Sequence, residues 1–216
     1  MSKQSFQTVA APAECEIDKV KGSRFLGFVW PVTSEAQAME HVDGLRKRYH
    51  DARHWCWAWR LGRGSESFRY QDDGEPSGTA GRPILQEIDG RELTDVLVVV
   101  VRYFGGTKLG TGGLARAYAD AARETLSRAK IRIVRIDRPV RIHFGYEDTA
   151  AIQALMHRYA EQPIESSYQE LTMLLFSLPT DRAEAFAESV TEATSGRARI
   201  EIGPEGPSPG QKRRRT

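Results

Sequence analysis

The longest apolar run in the chain, Val96–Val101, holds no polar residue, and the stretch Leu93–Val101 around it shows no period-two alternation. A strand of that kind is covered on both faces. The flanking pattern predicts its neighbours. CEIDKVK (15–21) and RFLGFVW (24–30) read as two short strands turning at Gly22-Ser23. From Ser34, a capping residue, Ala38, Val42 and Leu45 keep helical spacing up to Tyr49. RHWCWAWRL (53–61) reads as a strand rich in aromatics, with SFRY (67–70) as its hairpin partner. The glycine-rich segment RYFGGTKLGTGG then leads into a helix from about Leu114 to Ala129.

After Asp137-Arg138-Pro139 the pattern changes. VRIHFGY is a strand, EDTAAIQALMHRYA a helix, and PIESSYQ and ELTMLLFSL are two strands. Asp181 to Thr194 is a helix with Ala185, Phe186 and Val190 inward, and RARIEI closes the series. The order βαββαβ predicts a ferredoxin-like α+β sandwich. The tail GPEGPSPGQKRRRT is rich in Pro and Gly and then basic, which predicts disorder. The expected domains are therefore 1–138 and 139–203, followed by a basic tail over 204–216.

Composition is that of an ordinary globular chain of 216 residues. The N-terminus has no continuous apolar segment of the secretory kind, and no run approaches the ~18 apolar residues of a membrane span. Two cysteines, Cys15 and Cys56, make neither a disulfide framework nor a four-ligand zinc site, so a reducing cytoplasm is expected. The net charge of +2 is unevenly distributed. Residues 1–138 carry 22 Lys and Arg against 18 Asp and Glu, residues 139–202 carry 5 against 10, and the last fourteen carry 4 against 1. A mildly basic first part is compatible with a polyanionic partner.

Three stretches invite chemistry. In VLVVVVRYFGGTKLGTGGLARAY, Gly105, Gly106, Gly110, Gly112 and Gly113 lie between a buried strand and a helix start, near Arg102, Lys108 and Arg116. Glycine lets backbone N–H groups approach an anion, and a helix start adds partial positive charge. The spacing is not that of a P-loop, and a loose dinucleotide fingerprint at 110–115 stands too far from its strand. Tight turns and helix–sheet packing explain the same glycines.

In RHWCWAW, His54, Cys56 and Ala58 share one face, and Trp55, Trp57 and Trp59 the other. The tryptophans suit either base stacking or the interface between sheet and helices, and the second is the commoner use. His54 and Cys56 point the same way about 7 Å apart, too far for a nucleophilic pair. In DDGEPSGTAGRPIL (72–85), Asp73-Gly74 marks a turn, and Ser77 or Thr79 is placed to cap a helix beginning near Ala80. That helix would turn Ile84, Leu85 and Ile88 inward. Asp72, Asp73 and Glu75 repel one another unless paired, with Arg82, Arg102 or Lys108 as the expected partners; the calcium-loop pattern is absent.

The stretches A-R-H-x-C-x-A-W (52–59), Q-D-D-G-E-P-x-G-T-A-G-R-P (71–83) and V-V-V-R-Y-F-G-G-x-x-L-G-T-G-G-L-x-x-A-Y (99–118) resemble the IMPACT family, most closely its bacterial YigZ-type members. The resemblance implies an N-terminal domain with a left-handed βαβ fold, like a small-subunit ribosomal protein and domain IV of elongation factor G. It implies a C-terminal domain similar to domain V of that factor. Both suggest contact with RNA or the ribosome. Eukaryotic members regulate translation under amino-acid starvation by competing for an activator of an initiation-factor kinase. They carry a further N-terminal protein-binding domain, which this chain, with its first motif strand near residue 15, is expected to lack.

The reading that follows is a non-enzymatic cytoplasmic protein acting near translation, with RNA or the ribosome as partner and no membrane association. The expected phosphate or nucleic-acid contacts are Arg82, Arg102, Gly105, Gly106, Lys108, Gly112, Gly113 and Arg116, assisted by the KRRR tail. Asp72, Asp73, Gly74, Glu75 and Pro76 form the adjoining family loop. No catalytic residue, metal ligand or cofactor is expected. Two alternatives stand beside it: an enzyme for a nucleotide or other phosphate ligand that uses the same glycine loop, and a regulatory module that docks a protein partner.

Overall fold

The computed structural model describes residues 5–62, 67–159 and 161–208. It is a mixed α/β structure with antiparallel sheets, in two compact units: Phe6–Ile133, and, among the described residues, Ser5 with 134–208.

The first unit takes in β1 (Ser5–Val9) from Phe6, a strand too short to show in the sequence pattern, and continues with β2 (Ala13–Glu16) and β3 (Arg24–Pro31). Helix α1 (Glu35–Arg48) follows, capped as expected by the Ser34 side chain, which accepts from the Gln37 amide. Then come β4 (His54–Leu61), β5 (Ser67–Gln71), α2 (Gly81–Asp89), β6 (Val96–Tyr103) and α3 (Gly110–Arg128). The five-stranded sheet runs β2-β3-β6-β4-β5, antiparallel throughout.

Strand β6 at its centre explains the unbroken apolar run. Val96, Val98 and Val100 pack with Ile84, Leu85 and Ile88 of α2 and with Leu114, Tyr118 and Ala121 of α3. Leu97, Val99 and Val101 pack on the opposite face with Ala38, Val42 and Leu45 of α1. Trp57 and Trp59 are buried in that second cluster with Trp55 partly buried against it, so the tryptophans fill the sheet–helix interface. Helix α3 starts at Gly110, four residues before the expected Leu114. Its glycines are weak helix formers, but the apolar face from Leu114 onwards docks on the sheet and carries the first turn with it.

Strand β7 (Ile131–Phe144), which belongs to the second unit from Val134, is longer than the sequence suggests and runs straight through Asp137-Arg138-Pro139. A 3-10 turn (Tyr146–Asp148), α4 (Thr149–Tyr159), β8 (Glu165–Tyr168), β9 (Thr172–Pro179), α5 (Thr180–Ala193) and β10 (Arg199–Ile202) follow. Pairing gives the antiparallel order β10-β7-β9-β8. Val140, Ile142, Leu174, Phe176 and Leu178 bury one face of it against Ile152 and Leu155 of α4 and Phe186 and Val190 of α5. Ala185, expected inward, is exposed; Ala183 and Ala187 take the core side, each three residues before its neighbour on that face, Phe186 and Val190. Part of the expected tail is described as well: β11 (Gly206–Pro207) pairs with Ile136 and Asp137, and the Ser208 amide donates to the Arg135 carbonyl. The KRRR segment lies outside the described residues.

Candidate functional site

The three sequence stretches meet at one end of the first sheet. Antiparallel register places Arg102, near the end of β6, between Phe25 of β3 and His54 of β4. The alternation that puts Val98 and Val100 towards α2 and α3 puts Arg102 on that face too. Its guanidinium lies 5.4 Å from the Phe25 ring centre and donates to the Glu75 carboxylate at 2.6 Å. The Tyr118 hydroxyl of α3 donates to the same Glu75 oxygen at 2.8 Å, and burial pushes that phenol's pKa well above its ordinary value.

The other two acids are held as firmly. Asp72 accepts from the amides of Gly78, Ala80 and Gly81 at 2.8, 3.0 and 2.8 Å. It therefore closes the loop and caps α2 from eight residues upstream. Ser77 and Thr79, the expected caps, do not: the helix has no side-chain cap from its own N-cap residue, and the Thr79 hydroxyl donates to the Pro76 carbonyl. Asp73 accepts from the Trp55 amide at 2.7 Å and from Arg46 of α1 at 2.9 Å. The loop backbone is bound in turn, since His54 Nδ1 donates to the Asp73 carbonyl and the Cys56 thiol to that of Asp72, each at 2.9 Å. Burial raises the Cys56 thiol pKa well above its usual value. His54 and Cys56 thus bind neighbouring carbonyls and form no nucleophilic pair. Gly74, at φ +86, completes the turn, and Pro76 stands exposed.

Of the expected pairings for the acids, one is present, Glu75 with Arg102. Asp73 takes Arg46, which no sequence signal singled out, and Asp72 takes backbone amides. Tyr118, the last residue of the third stretch, was not singled out either. Among the described residues no group of three His, Cys, Asp or Glu is arranged to hold a metal ion.

The expected phosphate contacts divide into two sets. Arg102 is buried and bound to Glu75, which removes it from any surface. Gly105 is a packing residue, because a Cβ there would come within 1.9 Å of the Gly22 carbonyl carbon, and its amide donates to the Ser23 hydroxyl oxygen. A Cβ on Gly113 would meet Leu109 at 3.2 Å. Gly106 and Gly112, by contrast, have nothing within 4 Å of a built Cβ. Arg82, Lys108 and Arg116 are exposed and make no ion pair among the described residues. Gly112 and Gly113 lie in the first turn of α3, whose N-cap Leu109 offers no side-chain acceptor to the turn's amides. The arrangement turns its acids inward and leaves cations and open helix amides outside.

Comparison with known proteins agrees with the motifs. Residues 21–126 match the model of the Impact N-terminal domain, and residues 142–197 match a domain of unknown function, DUF1949. The chain is 31% identical over 195 residues to the IMPACT family member YigZ of Escherichia coli, covering 89% of this chain and 95% of that protein. It is 34% identical to the family member YvyE of Bacillus subtilis, covering 92% and 91%. The chain is also similar to the Protein IMPACT homolog of Saccharomyces cerevisiae, at 35% identity over 112 residues, half of this chain and 43% of that one. A crystal structure described as that of a hypothetical protein superposes with a TM-score of 0.66 at 30% identity, covering 92% of this chain and 97% of the other.

Proposed function

The chain belongs to the IMPACT family, and from that premise we propose that it is a non-enzymatic binding protein acting near translation in the cytoplasm, with RNA or the ribosome as its partner. The observation that carries the reading is the sorting of charge around the signature loops. Asp72, Asp73 and Glu75 are bound by internal partners, Asp73 and Glu75 by arginines and Asp72 by backbone amides, while Arg82, Lys108 and Arg116 stay exposed and unpaired among the described residues. Such a surface attracts a polyanion, and the uncapped first turn of α3 presents amides to a phosphate.

The same sorting weighs against an enzyme that holds Mg²⁺ through these acids, because each carboxylate is already engaged by donors of the protein itself. Fold analogy adds a weaker support. The order β10-β7-β9-β8 with both helices on one face suits a ferredoxin-like domain, and the first unit is read as the left-handed βαβ domain of the elongation-factor comparison.

Titration of the full chain against labelled single-stranded and duplex RNA at about 50 and 200 mM salt tests the proposal. Binding at low salt that weakens steeply with added salt supports it; no binding at low salt overturns it. A rise in melting temperature with ATP or GTP and Mg²⁺ would favour an enzyme instead.

A further inference from the structure

Strand β5 is the outer strand of the first sheet beyond β4, and all five of its residues are exposed. Its register sets Phe68 opposite Arg60 and Tyr70 opposite Ala58. Ala58 belongs to the cluster under α2 and α3, so both rings stand on that face, two residues and therefore about 7 Å apart. Phe68 is 52% exposed and Tyr70 39%, and neither ring belongs to either apolar cluster of the unit. The core does not account for two aromatic side chains at this spacing.

Cations flank them. The Arg60 guanidinium lies 5.0 Å over the Phe68 ring and is anchored by Asp89 at the end of α2. At the other end of that helix, Gly81 packs against the backbone of Gln71, so α2 runs beside β5 from Gln71 towards Phe68. Arg82, Gln86 and Asp89 follow at helical spacing and are exposed. Strand β5 itself, SFRYQ, carries no acid, and its Arg69 pairs with Glu35. From Tyr70 the chain passes through Gln71 directly into the signature loop at Asp72.

We propose that Phe68 and Tyr70 form a stacking platform for the bases of single-stranded RNA, with Arg82 meeting phosphate beside it. The inference rests on the RNA reading given above and locates where the bases, as distinct from the phosphates, are held. Every base has a π face, so an exposed aromatic pair takes bases with little regard to sequence, and a guanidinium stacked on one ring strengthens the platform. A protein strand added to β5 would use the strand's outward backbone groups and would need neither the rings nor Arg82.

The test is fluorescence anisotropy of the full chain with a labelled 12-residue oligouridylate and with an RNA duplex of the same length, at low salt. Phe68→Ala with Tyr70→Ala should weaken oligouridylate binding about 30-fold, the product of two stacking losses of about 1 kcal/mol each, and leave duplex binding unchanged. Phe68→Trp with Tyr70→Trp should retain binding. Tyr146→Ala, an exposed aromatic of the second unit, should change nothing. Oligouridylate binding unaffected by the alanine pair overturns the platform and leaves the RNA reading standing. A loss shared equally by the tryptophan pair also overturns it, since the rings would then have a structural role. Absence of all RNA binding by the unmodified chain removes the functional reading and the platform together.

Discussion

Glu75 and Arg102 stand 27 residues apart in sequence and meet at 2.6 Å, with 4% and 5% of their side chains exposed. A buried pair of this kind stabilises little over an apolar pair of the same volume, but removing one partner strands the other's charge. Glu75→Ala should therefore lower unfolding free energy by about 3–5 kcal/mol in urea denaturation. Glu75→Met combined with Arg102→Met should recover most of that loss. A double variant as unstable as the single one would show that shape or the Tyr118 hydrogen bond dominates the network.

Asp72 acts on a different element. Its carboxylate holds three amides at the start of α2, so Asp72→Ala removes a cap together with a loop closure. A cost of about 1–2 kcal/mol is expected. Hydrogen exchange gives the more specific check: protection should fall at Gly78, Ala80 and Gly81 while amides of β6 keep theirs. Uniform loss across the sheet would mean that the loop is part of the global unfolding unit.

How much of this was readable beforehand follows from the range over which each contact acts. The turn at Asp73-Gly74 and the apolar face of α2 are local, and the sequence shows both. The burial of β6 on two faces is also visible, because a strand between helix layers must be apolar throughout. The identity of the α2 cap is not, since Ser77 and Thr79 are the nearer candidates and only the folded loop brings Asp72 back to the helix. Arg46 reaches Asp73 from the last turn of α1, a contact set by helix docking on the sheet that leaves no periodic trace. The early start of α3 is hidden for a related reason, because glycine propensity argues against the helix that packing of Leu114 and Tyr118 enforces. Arg102 looked like a ligand contact because a cation beside glycines suits phosphate; its β6 register turns it inward instead.

Two glycines of the third stretch separate packing from binding. Gly105→Ala would drive a Cβ into the backbone of Gly22, so the Gly22-Ser23 turn must move, and a large loss of melting temperature is expected. Gly112→Ala meets nothing within 4 Å and replaces a poor helix former, so stability should hold or rise by about 0.5–1 kcal/mol. If the first-turn amides of α3 hold phosphate, the same variant should bind RNA more weakly despite its stability. Unchanged affinity would place the phosphates elsewhere on the rim.

The cysteines test the burial of the site. Burial raises both thiol pKa values, and a raised value favours the protonated, unreactive form. At pH 8 the native protein should resist an aromatic disulfide reagent, and the urea-unfolded chain should release both equivalents promptly. Rapid modification of Cys56 in the native state would show that the loop over it opens readily.

The central claim is that the signature loops face their acids inward so that a basic rim can hold RNA. The direct measurement is the salt dependence of RNA affinity for the unmodified chain and for Lys108→Glu with Arg116→Glu, two exposed residues outside the buried network. The unmodified chain should bind at about 50 mM salt with a steep negative slope, and the reversed pair should lose most of that affinity and flatten the slope by about two phosphates' worth, with melting temperature unchanged. Equal affinity and equal slope in the two proteins would contradict it.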